Sequence, residues 1–201
     1  MSLNEDPGED VTTLTDSLLL ERIRQGDTTS FETLFYRHYD RVYGLLFRLV
    51  GTRVEAEDLT QEAFLKLYHH AFSKRPFAKP KFGATKEQNI SAWLYRVATN
   101  LGYDALRRRR RSQERDTLLL PDPQGSPAAE KEVEQREQQT AVRAVLARLP
   151  QRQVQLLLLR QMGLSYAECA AICDVAPGSV GTLLSRAAAA FRKAYREETG
   201  E

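Results

Sequence analysis

Apolar residues recur every three or four positions along most of this chain, and this spacing constrains the fold more than any other feature. In the clearest run they are Phe31, Leu34, Phe35, Tyr39, Val42, Leu46 and Leu49. Such spacing places apolar side chains on one face of an α-helix, whereas a half-buried strand would alternate. No segment alternates convincingly, so the sequence predicts an all-α fold.

Helix boundaries can be predicted from capping signals. A Ser or Thr stands three positions before a glutamate at three places, the spacing of a capping box: Thr29 and Glu32, Thr52 and Glu55, Ser165 and Glu168. Glycines that end helices stand at Gly26, Gly51 and Gly163. These signals predict three helices before about Phe72, a fourth over 90–111 and four more in the C-terminal third.

Two small helical domains and a linker are the predicted organisation. Residues 112–130 contain two Asp and Pro steps, a Gly and a Ser-Pro pair, which disfavour a helix. We therefore expect an N-terminal domain over 16–111, a flexible linker over 112–132 and a C-terminal domain over 133–197. Residues 1–15 are acidic, contain Pro7 and Gly8, and are expected to be a disordered tail.

Charge and composition narrow the possible functions. The formal net charge is +2, but the first sixteen residues carry five acidic residues and no Lys or Arg, so the rest carries about +7. A basic body favours a polyanionic partner. No apolar run approaches the roughly 18 residues of a membrane span, and no secretion signal is evident, so a cytoplasmic location is expected.

No catalytic or metal-binding set stands out. The two cysteines, Cys169 and Cys173, lie four residues apart, and no nearby histidine completes a zinc site. His69 and His70 are adjacent, so they point about 100° apart on a helix and do not form a usual ligand pair. We expect no metal or cofactor, two buried thiols whose redox role stays open, and no enzymatic activity.

The segment "ISAWLYRVATNLGYDALRRRRR", residues 90–111, carries two different faces. One is apolar and should be buried: Leu94, Val97, Ala98, Leu101 and Ala105. The other mixes aromatics, an amide and charges: Trp93, Arg96, Asn100, Tyr103, Asp104, Arg107 and Arg111. Rings stack on bases, guanidinium groups hold phosphates and Asn reads base edges, so this face suits unpaired nucleic acid.

The preceding loop, 73–89, adds aromatics among basic residues, Phe77 and Phe82 beside Lys79 and Lys81. Such a loop could hold a base out of the stack. The alternative is an amphipathic helix with a solvated basic end and a tryptophan at its boundary.

The C-terminal region has the spacing of a helix-turn-helix, with a three-residue turn, "DVA", between its last two helices. The second helix points Val180, Leu183, Leu184, Ala187 and Phe191 inward. Its outward side chains, candidates for contact with duplex DNA, are Ser179, Thr182, Ser185, Arg186, Ala189 and Lys193. A plain helical hairpin is the alternative.

Four stretches in this order resemble extracytoplasmic-function (ECF) sigma factors, small promoter-specificity subunits of bacterial RNA polymerase. They are "FETLFYRHYDRVYGLLFRLVG", "EAEDLTQEAFLKLY", the 90–111 segment and "LPQRQVQLLLLRQMGLSYAECAAICDVAPGSVGTLLSRA". The resemblance implies these partners: core RNA polymerase through its largest-subunit clamp helices and its flap, promoter DNA as single strand and as duplex, and an anti-sigma protein.

The resemblance also implies roles for individual residues. Candidates for the clamp-helix contact are Asp58, Gln61, Glu62 and Leu65, although a capped acidic helix start would explain the acidic residues equally well. The 90–111 helix and the 73–89 loop would melt the minus-ten element and capture its non-template strand. Phosphates would be held by Arg96 and by Arg107, Arg108, Arg109, Arg110 and Arg111. The helix-turn-helix would read the minus-thirty-five element.

The sequence departs from the family pattern at two places. In "GSVGTLLSR", Gly181 and Leu183 occupy positions that are basic in many members, and Gly181 costs about 1 kcal/mol of helix stability relative to Ala. The 73–89 loop also looks longer than usual. Duplex recognition is therefore expected to be weak, to rely on Arg186 and Lys193, or to use another sequence.

Two other functions stay open at this point. The chain could be a helix-turn-helix regulator of duplex operators, although the aromatic and basic face of 90–111 has no use in a sensor domain. It could also be a degenerate sigma-like interaction module that binds polymerase without starting transcription. A further hypothesis is that the acidic tail folds back on the basic 73–89 loop and damps DNA binding.

Overall fold

The computed structural model describes residues 11–73, 90–115 and 127–200. These residues form eight α-helices and two short 3-10 helices, with no strand among them. The prediction of an all-α fold is confirmed. The 3-10 helices span Val11–Thr13 and Pro177–Ser179.

The N-terminal domain contains four helices, α1 (Asp16–Arg24), α2 (Thr28–Val50), α3 (Arg53–Phe72) and α4 (Ile90–Arg115). The C-terminal domain contains α5 (Pro127–Arg148), α6 (Gln151–Gln161), α7 (Tyr166–Cys173) and α8 (Val180–Thr199). Taken singly, no helix in the described ranges has the length and apolarity to cross a membrane. A pair of helical segments joined by a sharp bend, Tyr166–Cys173 with Pro177–Thr199, is long and apolar enough to do so when judged by length and composition alone.

The core of the N-terminal domain forms where α2 packs between α1, α3 and α4. Its largest fully buried side chains include Leu34, Leu45, Leu46 and Leu49 of α2, Leu67 of α3 and Leu94 of α4. A Cβ at Gly102 would lie 2.6 Å from Leu49 Cδ1. The absence of a side chain at position 102 therefore lets Leu46 and Leu49 of α2 pack closely against α4.

The helix N-termini match the sequence signals at one place of three. Ser165 and Glu168 form the predicted capping box at the start of α7. The prediction for Thr29 is wrong, because Asp27 precedes α2 and its carboxylate accepts from Thr29 N at 2.9 Å and Ser30 N at 3.3 Å. Thr52 does precede α3, but its side chain makes no capping hydrogen bond.

Residues 11–15 are ordered, which corrects the expectation of disorder over that part of the tail. Arg37 of α2 donates to Thr12 O at 2.8 Å and to the carboxylate of Asp16 at 2.7 Å. The same carboxylate contacts His38 Nε2 at 2.7 Å. Burial alone would raise the pKa of Asp16, but its contacts with His38 and Arg37 outweigh burial and lower it. Residues 1–10 and the 73–89 loop beyond Ser73 lie outside the described residues, as does the proposed contact between them.

Helix occupies both ends of the segment expected to be a linker. Helix α4 continues to Arg115, and α5 begins at Pro127. Proline is tolerated in the first turn of a helix because the N–H that it lacks has no partner there. The Ser-Pro pair therefore marks a helix start, and the prediction that it disfavours a helix is wrong at this position. The segment 116–126 lies outside the described residues.

Candidate nucleic-acid interface

The apolar face of α4 lies where the sequence predicts it. Leu94, Ala98 and Ala105 are buried in the N-terminal core, and Val97 and Leu101 are partly buried against it. Because one side of α4 is fixed in this way, the mixed aromatic and charged face must point away from α2. We call this second face the strand face, and define it by Trp93, Arg96, Asn100, Tyr103, Asp104 and Arg107.

The C-terminal domain covers part of the strand face, through contacts with Arg96, Asn100 and Tyr103. Arg96 donates from Nε to Ile172 O and from Nη2 to Ala171 O, each at 3.0 Å. Both carbonyls lie in the last turn of α7, where backbone oxygens lack helical partners and carry partial negative charge. A guanidinium group thus caps a helix of the other domain.

Tyr103 is the most deeply covered residue of the strand face. It is only 7% exposed, and its hydroxyl donates to Leu149 O at 2.6 Å, between α5 and α6. The guanidinium carbon of Arg107 lies 5.8 Å from the centre of its ring, within the range of a cation–π contact. The ring is available to a base only if the C-terminal domain moves away.

Two glutamine contacts complete the covered surface. Gln151 Nε2 donates to Asn100 Oδ1 at 2.7 Å, at an exposed edge. Gln155, buried on α6, donates to Thr99 Oγ1 at 2.6 Å. Thr99 in turn donates to Tyr95 O at 2.7 Å, so the buried polar groups on both sides are satisfied.

The two ends of the strand face are less covered. Trp93, near the start of α4, is half-buried and stacks on His70 of α3 with ring centres 5.3 Å apart. Asp104 is exposed. Phe77, Phe82, Lys79 and Lys81, predicted to help capture the strand, lie outside the described residues.

The five consecutive arginines divide between solvent and protein. Arg107, Arg108, Arg109 and Arg111 are exposed, and Arg110 is half-buried. Arg109 donates to Val50 O at 3.3 Å, at the end of α2, and Arg110 donates to Ala147 O of α5 at 3.5 Å. These are long contacts to neutral acceptors, so the charge of the segment is not neutralised by them.

The predicted polymerase-binding residues share one exposed side of α3. Asp58, Gln61 and Glu62 are exposed, and Leu65, a large apolar residue, is 57% exposed. Glu62 also pairs with Lys66 at 3.1 Å. An exposed leucine among acidic residues is consistent with a protein contact as well as with a solvated helix start.

Sequence reasoning missed an aromatic row on α2. Tyr39, Tyr43 and Phe47 stack in series, each pair of ring centres 5.9 Å apart. Phe47 is 42% exposed, and Tyr36, close by, is 75% exposed. The signal was present, because positions 39, 43 and 47 step by four residues and therefore drift off the buried stripe.

The helix-turn-helix has the predicted turn, 174–176, but its second helix begins later than expected. Pro177–Ser179 form a 3-10 turn, and α8 starts at Val180. Ser179, Thr182, Ser185, Arg186 and Lys193 are all exposed, as is Ala189. Leu183 is half-buried, because it packs toward the core of the domain. The outward surface of α8 is therefore open but carries few cations.

Both cysteines are buried on α7. Burial raises the pKa of Cys173 to about 12 and also raises that of Cys169. Thiols with raised pKa values hold little thiolate at neutral pH and react slowly. The expectation of two buried thiols is confirmed.

Two family models match this chain, Sigma-70 region 2 over residues 34–112 and Sigma-70 region 4 over residues 139–191. The ECF RNA polymerase sigma-E factor of Haemophilus influenzae is 31% identical over 184 residues, which cover 87% of this chain and 92% of that protein. The chain belongs to the ECF RNA polymerase sigma factors. This sigma factor directs transcription initiation, as the two sigma regions and this relative show.

Other relatives agree with this assignment. The sigma-E factor of Escherichia coli K12 is 32% identical over 185 residues, covering 87% of this sigma factor and 91% of its own length. SigW of Bacillus subtilis is 27% identical over 188 residues, covering 89% and 95%. Among solved structures, CnrH in complex with the cytosolic domain of CnrY matches with a TM-score of 0.54 at 21% identity, covering 89% and 95%, and supports the fold.

Proposed function

We propose that the strand face of α4 captures the non-template strand of the minus-ten element during initiation. Trp93 and Tyr103 would stack on bases, Asn100 would read a base edge, and Asp104 would line the path of the strand. Arg96 and the five arginines from Arg107 to Arg111 would hold phosphates. The 73–89 loop, with Phe77, Phe82, Lys79 and Lys81, would hold a base out of the stack.

One observation supports this role above the others. Within the strand face, Arg96 and Tyr103 donate to backbone carbonyls of the C-terminal domain, whereas Asn100 accepts from a side-chain amide. Backbone carbonyls and phosphate oxygens are both hydrogen-bond acceptors, so DNA can replace the first two contacts without leaving a donor unsatisfied. A purely structural surface would have no need for an adjoining run of five arginines.

It follows that this sigma factor has a packed state and an open state. In the packed state the C-terminal domain occupies Arg96, Asn100 and Tyr103, so these residues do not reach DNA. In the open state the domains separate, which also lets α4 and α8 reach promoter elements far apart. We infer that core RNA polymerase stabilises the open state by binding both domains.

The remaining surfaces fit the other partners. We infer that Asp58, Gln61, Glu62 and Leu65 of α3 contact the clamp helices of the largest polymerase subunit, and that the C-terminal domain contacts the flap. Ser179, Thr182, Ser185, Arg186 and Lys193 would face the duplex of the minus-thirty-five element. An anti-sigma protein that covers these surfaces would hold the protein inactive. The protein would act in the bacterial cytoplasm, as a non-enzymatic factor.

A second candidate function is a sigma-like module that binds polymerase without starting transcription. The surface of α8 supports it, since Gly181 and the half-buried Leu183 supply no cation where many family members have one. The strand face argues against it, because a module that never meets melted DNA would not need that face.

Promoter-dependent RNA synthesis tests the proposal. The purified chain is added to sigma-free core polymerase with a pool of genomic promoter fragments, beside Trp93→Ala and a variant with Arg107 to Arg111 replaced by alanine. We expect specific transcripts from the wild type and their loss in both variants. Binding to core without transcripts from the wild type would favour the interaction module, and no binding to core would contradict the proposal.

A further inference from the structure

A cavity of about 350 Å³ lies between the two domains, where the end of α4 meets α5. Its apolar walls are made of small or aliphatic side chains from both domains: Val50, Ala105, Leu106, Ala144 and Ala147. Arg109 and Arg110 enter it from α4, and Arg143 and Arg148 enter it from α5. This size is at the small end of the range of ligand sites, and the mixture of apolar walls with a few charged groups is typical of them.

The cations of this cavity outnumber its anions. Arg148 pairs with Glu198, which leaves Glu55 as the other carboxylate among the lining residues. Arg143 donates to Thr140 Oγ1 at 3.5 Å, and Arg109 donates to Val50 O at 3.3 Å. Within the described ranges, neither guanidinium group forms an ion pair. The positive charges of Arg109 on α4 and Arg143 on α5 thus lie on either side of the domain boundary, and each of these guanidinium groups donates to a neutral acceptor.

Capping of α2 does not account for both charges. The guanidinium group of Arg143 lies against Gly51, the residue that ends α2, where a Cβ would come within 2.5 Å of it. A helix C-terminus carries about half a negative charge, whereas Arg109 and Arg143 together carry two positive charges. Burial lowers the pKa of Arg143, and the nearby charge of Arg109 lowers it further. This direction is expected where a cation has no carboxylate beside it.

A second, more open cavity of about 990 Å³ adjoins the first and shares Glu55, Ala105 and Arg109 with it. Arg108, Arg111 and Ser112 line it further out. The two cavities together offer a smaller, less open space with apolar walls, here called the inner cavity, beside a wide space lined by guanidinium groups. Guanidinium groups bind phosphates bidentately and also stack on flat rings.

We propose that the inner cavity between α4 and α5 and the adjoining cavity between α3 and α4 form a binding site for a nucleoside polyphosphate, with its base in the inner cavity and its phosphates at Arg109, Arg143 and the outer arginines. An acidic peptide or a DNA strand would use the wider cavity but has no need for the inner one. Because the walls of the inner cavity come from both domains, the bound ligand stabilises the packed state and opposes capture of the strand. This inference goes beyond the proposed function, which would stand without it.

Direct binding to the full-length chain tests the site, with GTP, ATP and inorganic tripolyphosphate as probes in isothermal titration calorimetry. Arg143→Gln removes a guanidinium that the proposed DNA surfaces do not use. Ala144→Phe fills the inner cavity without changing the charge. Arg192→Gln, on the exposed side of α8, is the matched control for loss of one charge. Circular dichroism checks that each variant is folded.

We expect a nucleoside triphosphate to bind more tightly than tripolyphosphate. Arg143→Gln should weaken nucleotide binding about tenfold, while Arg192→Gln leaves it unchanged. Ala144→Phe should abolish the preference for a nucleotide over tripolyphosphate. The nucleotide should also lower the affinity of the wild type, but not of Arg143→Gln, for a single-stranded oligonucleotide.

Three results would overturn the proposal. The first is no binding of either nucleotide to the wild type at millimolar concentration. The second is equal binding of tripolyphosphate and nucleotides, which would leave charge alone as the cause. The third is a loss of strand affinity in Arg143→Gln as large as its loss of nucleotide affinity, which would make the cavity part of the DNA path. Promoter-dependent transcription by Arg143→Gln separates these outcomes from failure of the proposed function. If this variant still makes specific transcripts, the proposed function stands whatever the nucleotide-binding results are.

Discussion

Helices α4 and α8 are both proposed to contact promoter DNA, yet they are built in opposite ways. The strand face of α4 has two aromatics and an amide beside a dense run of arginines. The C-terminal domain contacts three of its six residues, whereas most of the arginine run is exposed. The outward surface of α8 is open to solvent and carries Arg186 and Lys193 among small polar residues. The surface with the greater capacity for nucleic acid is thus the one that the protein partly covers.

This difference has a physical reason. Exposed aromatics and arginines bind any nucleic acid through phosphates and base faces, so an uncovered strand face would bind without regard to promoter sequence. Small polar side chains on an exposed helix bind DNA weakly unless they can contact base edges in a groove of the duplex. Because the strand face is partly covered while α8 is open, α8 can recognise the promoter duplex before the strand face is exposed.

The largest expected effect concerns the arginines of α4. Replacing Arg107 to Arg111 by alanine should reduce the slope of log affinity against log salt by about 3.5 on a single-stranded oligonucleotide, since each phosphate contact contributes about 0.7. Fluorescence anisotropy over a salt series measures the slope. The matched change on α8, Arg186→Ala with Lys193→Ala, should leave this slope unchanged and reduce the slope on duplex DNA by about 1.8. Equal effects of both changes on the single strand would remove the distinction between the two helices.

Tyr103→Phe should make the strand face easier to reach. The change removes the hydrogen bond to Leu149 O but keeps the ring, so the free energy of unfolding should fall by about 1 kcal/mol. If the packed state predominates, the same 1 kcal/mol raises the affinity for a single strand up to about fivefold. Urea denaturation and anisotropy measure the two quantities, with Tyr195→Phe on α8 as the control. A lower strand affinity would show that the hydroxyl group contacts DNA and does not mainly close the domains.

Gly181→Lys should strengthen the binding of duplex DNA by α8, whose outward surface has fewer cations than α4. A Cβ at this position meets only Tyr166 Cε2, at 3.6 Å, so the side chain can be accommodated. One added phosphate contact steepens the salt slope on duplex DNA by about 0.9 and leaves the slope on single strands unchanged. Gln161→Lys, on α6 of the same domain, controls for the added charge. An unchanged duplex slope would mean that α8 does not face the phosphates.

The smallest effect should come from Gly181→Ala. Alanine lowers the backbone entropy of the unfolded chain and adds an ordinary van der Waals contact, so the free energy of unfolding should rise by about 0.5 kcal/mol. Urea denaturation at neutral pH measures it, and affinity for duplex DNA should stay the same. A fall in stability would indicate that α8 needs a glycine for close approach at this position.

Much of the fold could be predicted from local patterns. Leu94, Ala98 and Ala105 were assigned to the buried face of α4 from spacing alone, because a helix side chain's direction follows from its position in the chain. The capping box at Ser165 was predicted for the same reason, as its atoms belong to neighbouring residues. Asp27 was missed as the N-cap of α2 because the signal at Thr29 competes with it only two residues later.

The covering of the strand face could not be predicted in this way. Tyr103 and Arg96 contact the carbonyls of Leu149, Ala171 and Ile172, and every residue has a carbonyl, so these partners leave no signature in the sequence. Side chains that suit DNA also suit helix ends, because both present oxygen acceptors. Composition therefore identified the donors on α4, while only the structure identified what they contact in the packed state.

The distance between the two domains tests the central claim most directly. Dyes attached at Glu32→Cys on α2 and Arg192→Cys on α8, with Cys169 and Cys173 replaced by alanine, report it by energy transfer. We expect high transfer in the free chain and a clear fall on addition of core polymerase and promoter DNA, as the C-terminal domain, α8 included, moves away from the strand face. Unchanged transfer while promoter-specific transcripts are made would contradict the account.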